Sequence, residues 1–291
     1  MSGFSTSDQR FLDDLVRRVA RQHIMPWFRK LPPGGVRAKS SATDLVTIAD
    51  EAAETAIAVA LAERFPGALI VGEEAAATDP TLIGQLNAAS LAFVIDPIDG
   101  TANFAAGQPL FGVMLAVTER GKTTAAIIHD PLCDSSSCAQ AGLGAYEIDS
   151  AGAQTPLNIA PPPADISTLR GMASWRFAEP QHRPKILANL QRVAASWDHR
   201  CAAHEYRALA SGHSDFVLFN RLLPWDHLAG VLLHAEAGGA HSKFDGSSYK
   251  VGETSGGLIC AANAETCDML RHELFKQESS FSEEKEAKRL L

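Results

Sequence analysis
Apolar residues at Phe11, Leu12, Leu15, Val16, Val19 and Ala20 recur at the spacing of one helix face and predict a helix over residues 8–28. Pro32-Pro33-Gly34-Gly35 ends that pattern. A second amphipathic helix is predicted over 49–65, up to Phe65-Pro66-Gly67. Ala68–Val71 and Leu91–Ile95 are short apolar runs that read as buried strands. The first stops at Gly72-Glu73-Glu74, the second at Asp96-Pro97-Ile98-Asp99-Gly100. Phe111–Thr118 and Thr123–His129 flank Glu119-Arg120-Gly121-Lys122, a hairpin signal. The Pro- and Gly-bearing stretch Ala151–Ala164, with Pro161-Pro162-Pro163, predicts a domain boundary. Beyond it, strands are expected at Arg170–Trp175, Phe216–Phe219 and Gly257–Ala261, and helices at 182–195, 204–211, 226–237 and 263–275. This alternation predicts an α/β layer. The expected division is an N-terminal α+β domain over 1–155, a C-terminal α/β domain over 156–276 and a polar, Glu- and Lys-rich tail over 277–291.

Composition narrows the function more than the fold. The chain has 291 residues and a formal net charge of -8, which argues against nucleic acid as a partner, because duplex binding draws on clustered Lys and Arg. It leaves room for a small anionic substrate whose site carries divalent metal. The N-terminus has no apolar core of a secretory signal, and no stretch of about 18 apolar residues predicts a membrane span. Five cysteines, an odd number in a chain of this length, predict reduced thiols and a cytoplasmic location. Cys133 and Cys138 are near each other, but no second ligand pair completes a zinc-like pattern.

Candidate chemistry lies in acids at awkward places. Glu73 and Glu74 end one buried strand, Asp96 and Asp99 end another, and Asp226 follows Pro224-Trp225 at the start of an apolar helix. Singly, each has a plain reading: a solvated strand end, a turn at Asp99-Gly100, a helix N-cap at Asp226. Strand ends, however, bring carboxylates to one sheet edge, and several carboxylates at one point call for a divalent cation. Oxygen-only ligands favour Mg²⁺ or Mn²⁺ over zinc. Gly100-Thr101-Ala102-Asn103-Phe104 reads as a turn entering a helix whose free N–H groups would hold phosphate. Metal beside a phosphate cradle points to phosphoryl transfer.

Asp96-Pro97-Ile98-Asp99-Gly100-Thr101-Ala102-Asn103-Phe104 resembles the first signature of the inositol monophosphatase superfamily, D-P-[IL]-D-G-T-x-N-F. Pro224-Trp225-Asp226-His227-Leu228-Ala229-Gly230, running on to Glu236-Ala237-Gly238-Gly239, resembles the second. Gly72-Glu73-Glu74 matches its G-E-E, and Lys39-Ser40-Ser41 with Asp44-Leu45-Val46-Thr47-Ile48-Ala49-Asp50 resembles its upstream block. The resemblance implies an α+β fold, a layered α-β-α-β-α sandwich, and a Mg²⁺-dependent, lithium-sensitive phosphomonoesterase that acts on a small phosphorylated metabolite as a homodimer. It implies that Glu73, Asp96 and the Ile98 carbonyl hold one metal and that Asp96, Asp99 and Asp226 hold a second. A weaker third would lie near Glu73, and Mn²⁺ would substitute. Thr101, polarised by Asp50 and close to Glu73, would orient the attacking water. The N–H groups of Gly100 and Thr101 would hold phosphate, and Lys39 would add positive charge.

The substrate-facing half departs from that pattern. Inositol-type members carry an acid seven positions before the W-D aspartate, where this chain has Phe219. Their small G-T-A-A segment is here Arg200-Cys201-Ala202-Ala203. Losing a hydroxyl acceptor and gaining a cation weakens the case for plain inositol phosphate and favours a second anionic group or a different alcohol. Inositol phosphate, histidinol phosphate, a sugar bisphosphate and a 3'-phosphonucleotide remain as substrates, and a non-catalytic binding protein on the same fold as the other class. No HExxH spacing exists among the histidines, although His227 adjoins Asp226, and no C-x5-R loop follows any cysteine. Asp96 and Asp99 are spaced D-x-x-D rather than D-x-D, which supports metal-activated water over an aspartyl-phosphate.

Overall fold
A computed structural model describes residues 4–39, 45–163 and 165–275. Ser40, Ser41, Asp44 and the tail 277–291 lie outside the described residues. The helices are α1 (Thr6–Val19), α2 (Ile48–Arg64), α3 (Glu73–Thr78), α4 (Thr81–Gln85), α5 (Thr101–Ala105), α6 (Arg183–Asn189), α7 (Ala202–Ala210), α8 (Pro224–Glu236) and α9 (Ala264–Leu274). The short strands β1 (Val36–Ala38) and β2 (Leu45–Thr47) pair with each other. A seven-stranded sheet then runs in sequence order through β3 (Leu69–Gly72), β4 (Ala92–Asp99), β5 (Gly112–Glu119), β6 (Lys122–Asp130), β7 (Ser135–Gln140), β8 (Gly144–Ile148) and β9 (Gln154–Leu157). β3 is parallel to β4, and the later neighbours are antiparallel. The second sheet takes the order β11-β10-β12-β14-β13, from β10 (Arg170–Ala173), β11 (Ala195–Trp197), β12 (Phe216–Phe219), β13 (Ala240–Lys243) and β14 (Leu258–Ala261). Within it β11, β10 and β12 are mutually parallel.

Side-chain alternation along the strands builds the layers. Phe93, Ile95, Val113, Leu115 and Val117 face α1 and α2, which bury Leu12, Leu15, Val16, Ile57 and Leu61 against them. Their neighbours Ala92, Val94, Met114 and Ala116 face the other way, onto α7 and α8. The second sheet meets the same two helices with Val217, Phe219, Leu258 and Cys260, and turns Phe216, Leu218, Ile259 and Ala261 toward α9. The result is the expected α+β sandwich, helix–sheet–helix–sheet–helix. Each fully buried Leu, Ile or Phe in these faces contributes about 1.5–3 kcal/mol relative to exposure.

The predicted hairpin forms as a two-residue turn, with Glu119 opposite Lys122 and Arg120 and Gly121 both at positive φ. The predicted helix over 8–28 is helical but not uniform: α1 gives way to a π turn at Ala20–Ile24 and a 3-10 turn at Met25–Trp27, where Pro26 enters. Apolar periodicity does not register this shift in hydrogen bonding. The predicted helix over 182–195 ends earlier, at α6 and a 3-10 turn at Leu190–Arg192, and Ala195 opens the edge strand β11.

Candidate active site
The site begins with an irregularity in β4. Asp96 pairs with Met114 and Asp99 with Gly112, so three steps along β4 match two along β5. In a regular strand, residues three apart point to opposite faces; the extra residue of this bulge restores parity. Ile98 accordingly joins the core under α1 and α2. Asp99 returns to the face that carries Asp96, toward α8. There Pro224 starts α8 and Leu223 occupies the N-cap, so Asp226 sits inside the first turn and is not a cap. One carboxylate oxygen each from Asp96, Asp99 and Asp226 lies within 4.8 Å of the others.

Gly100 ends the strand with φ +84°, and α5 starts behind it. An added Cβ there would lie 2.8 Å from the Leu110 carbonyl oxygen and 3.2 Å from Cys201 Cβ. In the first turn of α5 the Gly100 carbonyl accepts from the Asn103 and Phe104 N–H groups at 2.8 and 3.0 Å, and the Thr101 and Ala102 N–H groups precede that ladder. Thr101 Oγ1 is 2.9 Å from the Ile98 carbonyl and 3.2 Å from Asp50 Oδ1, two acceptors for its single proton. Asp50 is itself fixed at the start of α2, accepting from the backbone N–H (2.8 Å) and hydroxyl (2.5 Å) of Thr47.

Glu73, Asp96, Asp99, Gly100, Thr101, Cys201, Ala202, Phe219 and Asp226 line one cavity of about 720 Å³. Glu73 is not in the three-carboxylate group. It opens α3, and its Oε1 takes Lys39 Nζ at 2.5 Å, with Glu74 Oε1 at 2.9 Å from the same ammonium. Arg221 Nη2 stands 3.5 Å from Asp226. Burial, then repulsion from Glu73, Asp99 and Asp226, holds Asp96 well above the ordinary carboxylate range. Burial and Asp226 raise Asp99 to about 6, against donors from Cys201 and the Ala203 and Ala202 backbone. Burial lifts Glu73 to about 8 although Lys39 opposes it, and lifts Asp50 to about 7 although Thr47 opposes it. Burial pulls the Lys39 ammonium down, but Glu73 and Glu74 outweigh it and leave its pKa above the ordinary value. Crowded acids with raised pKa values and oxygen-only donors fit a hard divalent cation.

The model of the inositol monophosphatase family matches residues 11–280. The chain belongs to the inositol monophosphatase family. It is 32% identical over 215 residues to the inositol-1-monophosphatase of Bacillus subtilis, covering 74% of this chain and 78% of that one. It is 30% identical over 241 residues to the Nus factor SuhB of Vibrio cholerae, covering 80% and 84%. Among solved structures, a Thermotoga maritima IMPase superposes with a TM-score of 0.77 at 23% identity, over 92% of this chain and 97% of that one. Family and fold together support a phosphatase.

Phe219, Cys201 and Arg200 line the cavity of this inositol monophosphatase family member together. Phe219 is buried, stacked on Tyr206 at 4.8 Å and edge-on to His227 at 4.7 Å. His227 spends both ring nitrogens on Tyr206 Oη (3.1 Å) and the Arg221 carbonyl (2.7 Å), so it braces the wall. Cys201, expected only as a small neighbour, donates from Sγ to Asp99 Oδ2 at 2.9 Å, beside the Ala203 N–H at 2.6 Å. Arg200 lines the cavity with φ +56°. Sequence reading missed Arg176, Phe177, Asp198, Glu205 and Arg221 on the same wall. The available signal was position: Arg176, Arg200 and Arg221 each follow within three residues of the end of a strand, at Ala173, Trp197 and Phe219. No helix among the described residues is long and apolar enough to cross a membrane.

Proposed function
We propose that the protein is a Mg²⁺-dependent phosphomonoesterase that hydrolyses a small phosphorylated metabolite. The convergence of Asp96, Asp99 and Asp226 within 4.8 Å, beside the start of α5, carries this reading. Those three carboxylates, with Glu73 and the Ile98 carbonyl, would hold two Mg²⁺ ions, with a weaker third near Glu73 and Mn²⁺ as a substitute. When bound, the metal supplies Lewis acidity toward water and toward the phosphoryl and leaving oxygens.

The protein's own groups do the positioning. The Gly100 and Thr101 N–H groups receive the phosphate oxygens. Thr101 Oγ1 donates its hydrogen bond to Asp50 or to the Ile98 carbonyl, which leaves its lone pairs to accept from the attacking water and aim it. Glu73 accepts the proton the water sheds. Lys39 holds the Glu73 carboxylate and adds positive charge at the rim. Cys201 and the Ala203 N–H fix Asp99 against rotation.

The described cysteines are unpaired, with Cys138, Cys201, Cys260 and Cys267 buried, which supports a reducing, cytoplasmic setting. A homodimer acting on small phosphate esters, without nucleic acid or membrane, completes the proposal. Kinship to a Nus factor favours a second reading, a binding protein on this fold without turnover. Phosphate release from simple esters, with Mg²⁺ and with EDTA, separates the two: turnover that needs the metal supports the enzyme. No turnover by folded, Mg²⁺-supplied protein supports the binding role.

A further inference from the structure
The cavity has two walls of opposite character. The wall from the seven-stranded sheet is acidic, with Asp96 and Asp99. The other is built at the carboxyl ends of three mutually parallel strands, β10, β11 and β12, and each of those ends supplies an arginine: Arg176, Arg200 and Arg221. Carboxyl ends of parallel strands are where open α/β sheets place ligands.

The side chains of Arg176 and Arg221 are held by packing, whereas Arg200, an exposed residue, is fixed through its backbone. Arg176 Cζ lies 4.5 Å and Arg221 Cζ 4.7 Å from the centroid of the Phe177 ring, so one aromatic ring orders two guanidinium groups without consuming their N–H donors. Asp198 ties the wall together: Oδ2 takes Arg176 Nη1 at 2.9 Å, and Oδ1 takes the Arg200 backbone N–H at 2.6 Å, at the point where Arg200 adopts its left-handed φ. Glu205, the other acid of this wall, accepts from the His199 backbone N–H at 3.0 Å. The Arg200 guanidinium has no hydrogen bond or ion pair to any described residue. Three fork-shaped cations face the acids Asp198 and Glu205, the second held well above the ordinary carboxylate range by burial, and Arg221 also stands 3.5 Å from Asp226, so Arg200 is the guanidinium left over for a ligand. Guanidinium forks match phosphate and carboxylate oxygens. An acceptor of sugar hydroxyls would instead be a carboxylate, and Phe219 stands where the family resemblance implies one.

We infer that Arg176, Arg200 and Arg221 form a second anion subsite, so that the preferred substrate carries, besides the scissile phosphate, a further phosphate or carboxylate. This deepens the phosphatase reading and rests on it. The geometry favours a doubly anionic metabolite over a neutral polyol monophosphate.

The test uses matched pairs with Mg²⁺ present: fructose 1,6-bisphosphate against fructose 1-phosphate, and 3-phosphoglycerate against glycerol 3-phosphate. The doubly anionic member of at least one pair is expected to have kcat/KM higher by roughly 10- to 100-fold, the worth of a charged hydrogen-bonding pair. The pair that shows it tells a second phosphate from a carboxylate. Arg200→Gln should reduce that preference about 10-fold, and Arg200→Lys, which keeps the charge but loses the fork, should reduce it less. Equal kcat/KM within both pairs, unmoved by Arg200→Gln, overturns the inference and leaves the phosphatase standing. If no ester is hydrolysed, the phosphatase reading falls and calorimetry with fructose 1,6-bisphosphate decides the subsite. Binding weakened by Arg200→Gln upholds it; no binding overturns it.

Discussion

Replacing Gly100 by alanine tests how tightly the phosphate loop is built. The residue has φ +84°, and an alanine there bears the left-handed penalty of roughly 1–2 kcal/mol. Its Cβ would also lie 2.8 Å from the Leu110 carbonyl oxygen, an atom with little freedom because it already accepts from Asn103 Nδ2 at 2.9 Å. Overpacking of that kind costs about 1–3 kcal/mol more. Gly212 is the internal control. Its φ is +77° but nothing lies within 4 Å of an added Cβ, so Gly212→Ala should lose only the conformational part, roughly 1–2 kcal/mol. The combined loss of about 2–5 kcal/mol predicts that Gly100→Ala lowers the thermal midpoint on the order of 10 °C. Moving the N–H groups by a fraction of an ångström should also cost about 100-fold in phosphate release. Urea or thermal unfolding of both variants, beside a phosphate-release assay, checks each part. Equal destabilisation by the two substitutions, with full activity in Gly100→Ala, would refute the reasoning.

Two further outcomes follow from the carboxylate cluster. Asp99 is raised to about 6 from 3.8 and Glu73 to about 8 from 4.5, so both stabilise the fold while protonated, and that contribution is lost as pH rises through the raised values. The metal-free protein should therefore lose stability between about pH 4 and pH 8, and Mg²⁺ should raise the thermal midpoint by roughly 5–10 °C at pH 8 at 100-fold over its Kd but by little at pH 5; an equal rise at both pH values would contradict this. Removing the thiol that holds Asp99, in Cys201→Ala, should raise the Mg²⁺ concentration for half-maximal phosphate release about 10-fold, and an unchanged requirement would leave Cys201 with packing alone.

The parts of the molecule that were legible in the sequence are those where one short segment carries its own geometry. Asp96-Pro97-Ile98-Asp99-Gly100 encodes a bulge, a proline without an N–H and a left-handed glycine within five residues, so strand end, acids and phosphate loop come as one unit. The apolar strands and the helices α2, α7, α8 and α9 were equally visible by period. β7 was not, because Ser135, Ser136 and Ser137 are buried polar residues that satisfy themselves on partners such as His129 and Arg207. β11 was hidden by its partly exposed edge position. The arginine wall was illegible for another reason. Arg176, Arg200 and Arg221 lie more than twenty residues from one another in sequence, and only the parallel pairing of β10, β11 and β12 sets their strand ends side by side. The sequence also offered no sign that Lys39 and Glu73 would pair directly, since that contact joins the residue just after β1 to the start of α3.

The most direct test of the central claim is phosphate release from a panel that includes inositol 1-phosphate, histidinol phosphate, fructose 1,6-bisphosphate and adenosine 3',5'-bisphosphate, measured with Mg²⁺, after EDTA, and in Asp96→Asn. Hydrolysis of at least one ester that stops with EDTA, returns with Mg²⁺ and is lost in folded Asp96→Asn is the predicted result. Hydrolysis that survives both EDTA and Asp96→Asn, or none from any ester by the folded, Mg²⁺-supplied protein, would contradict it.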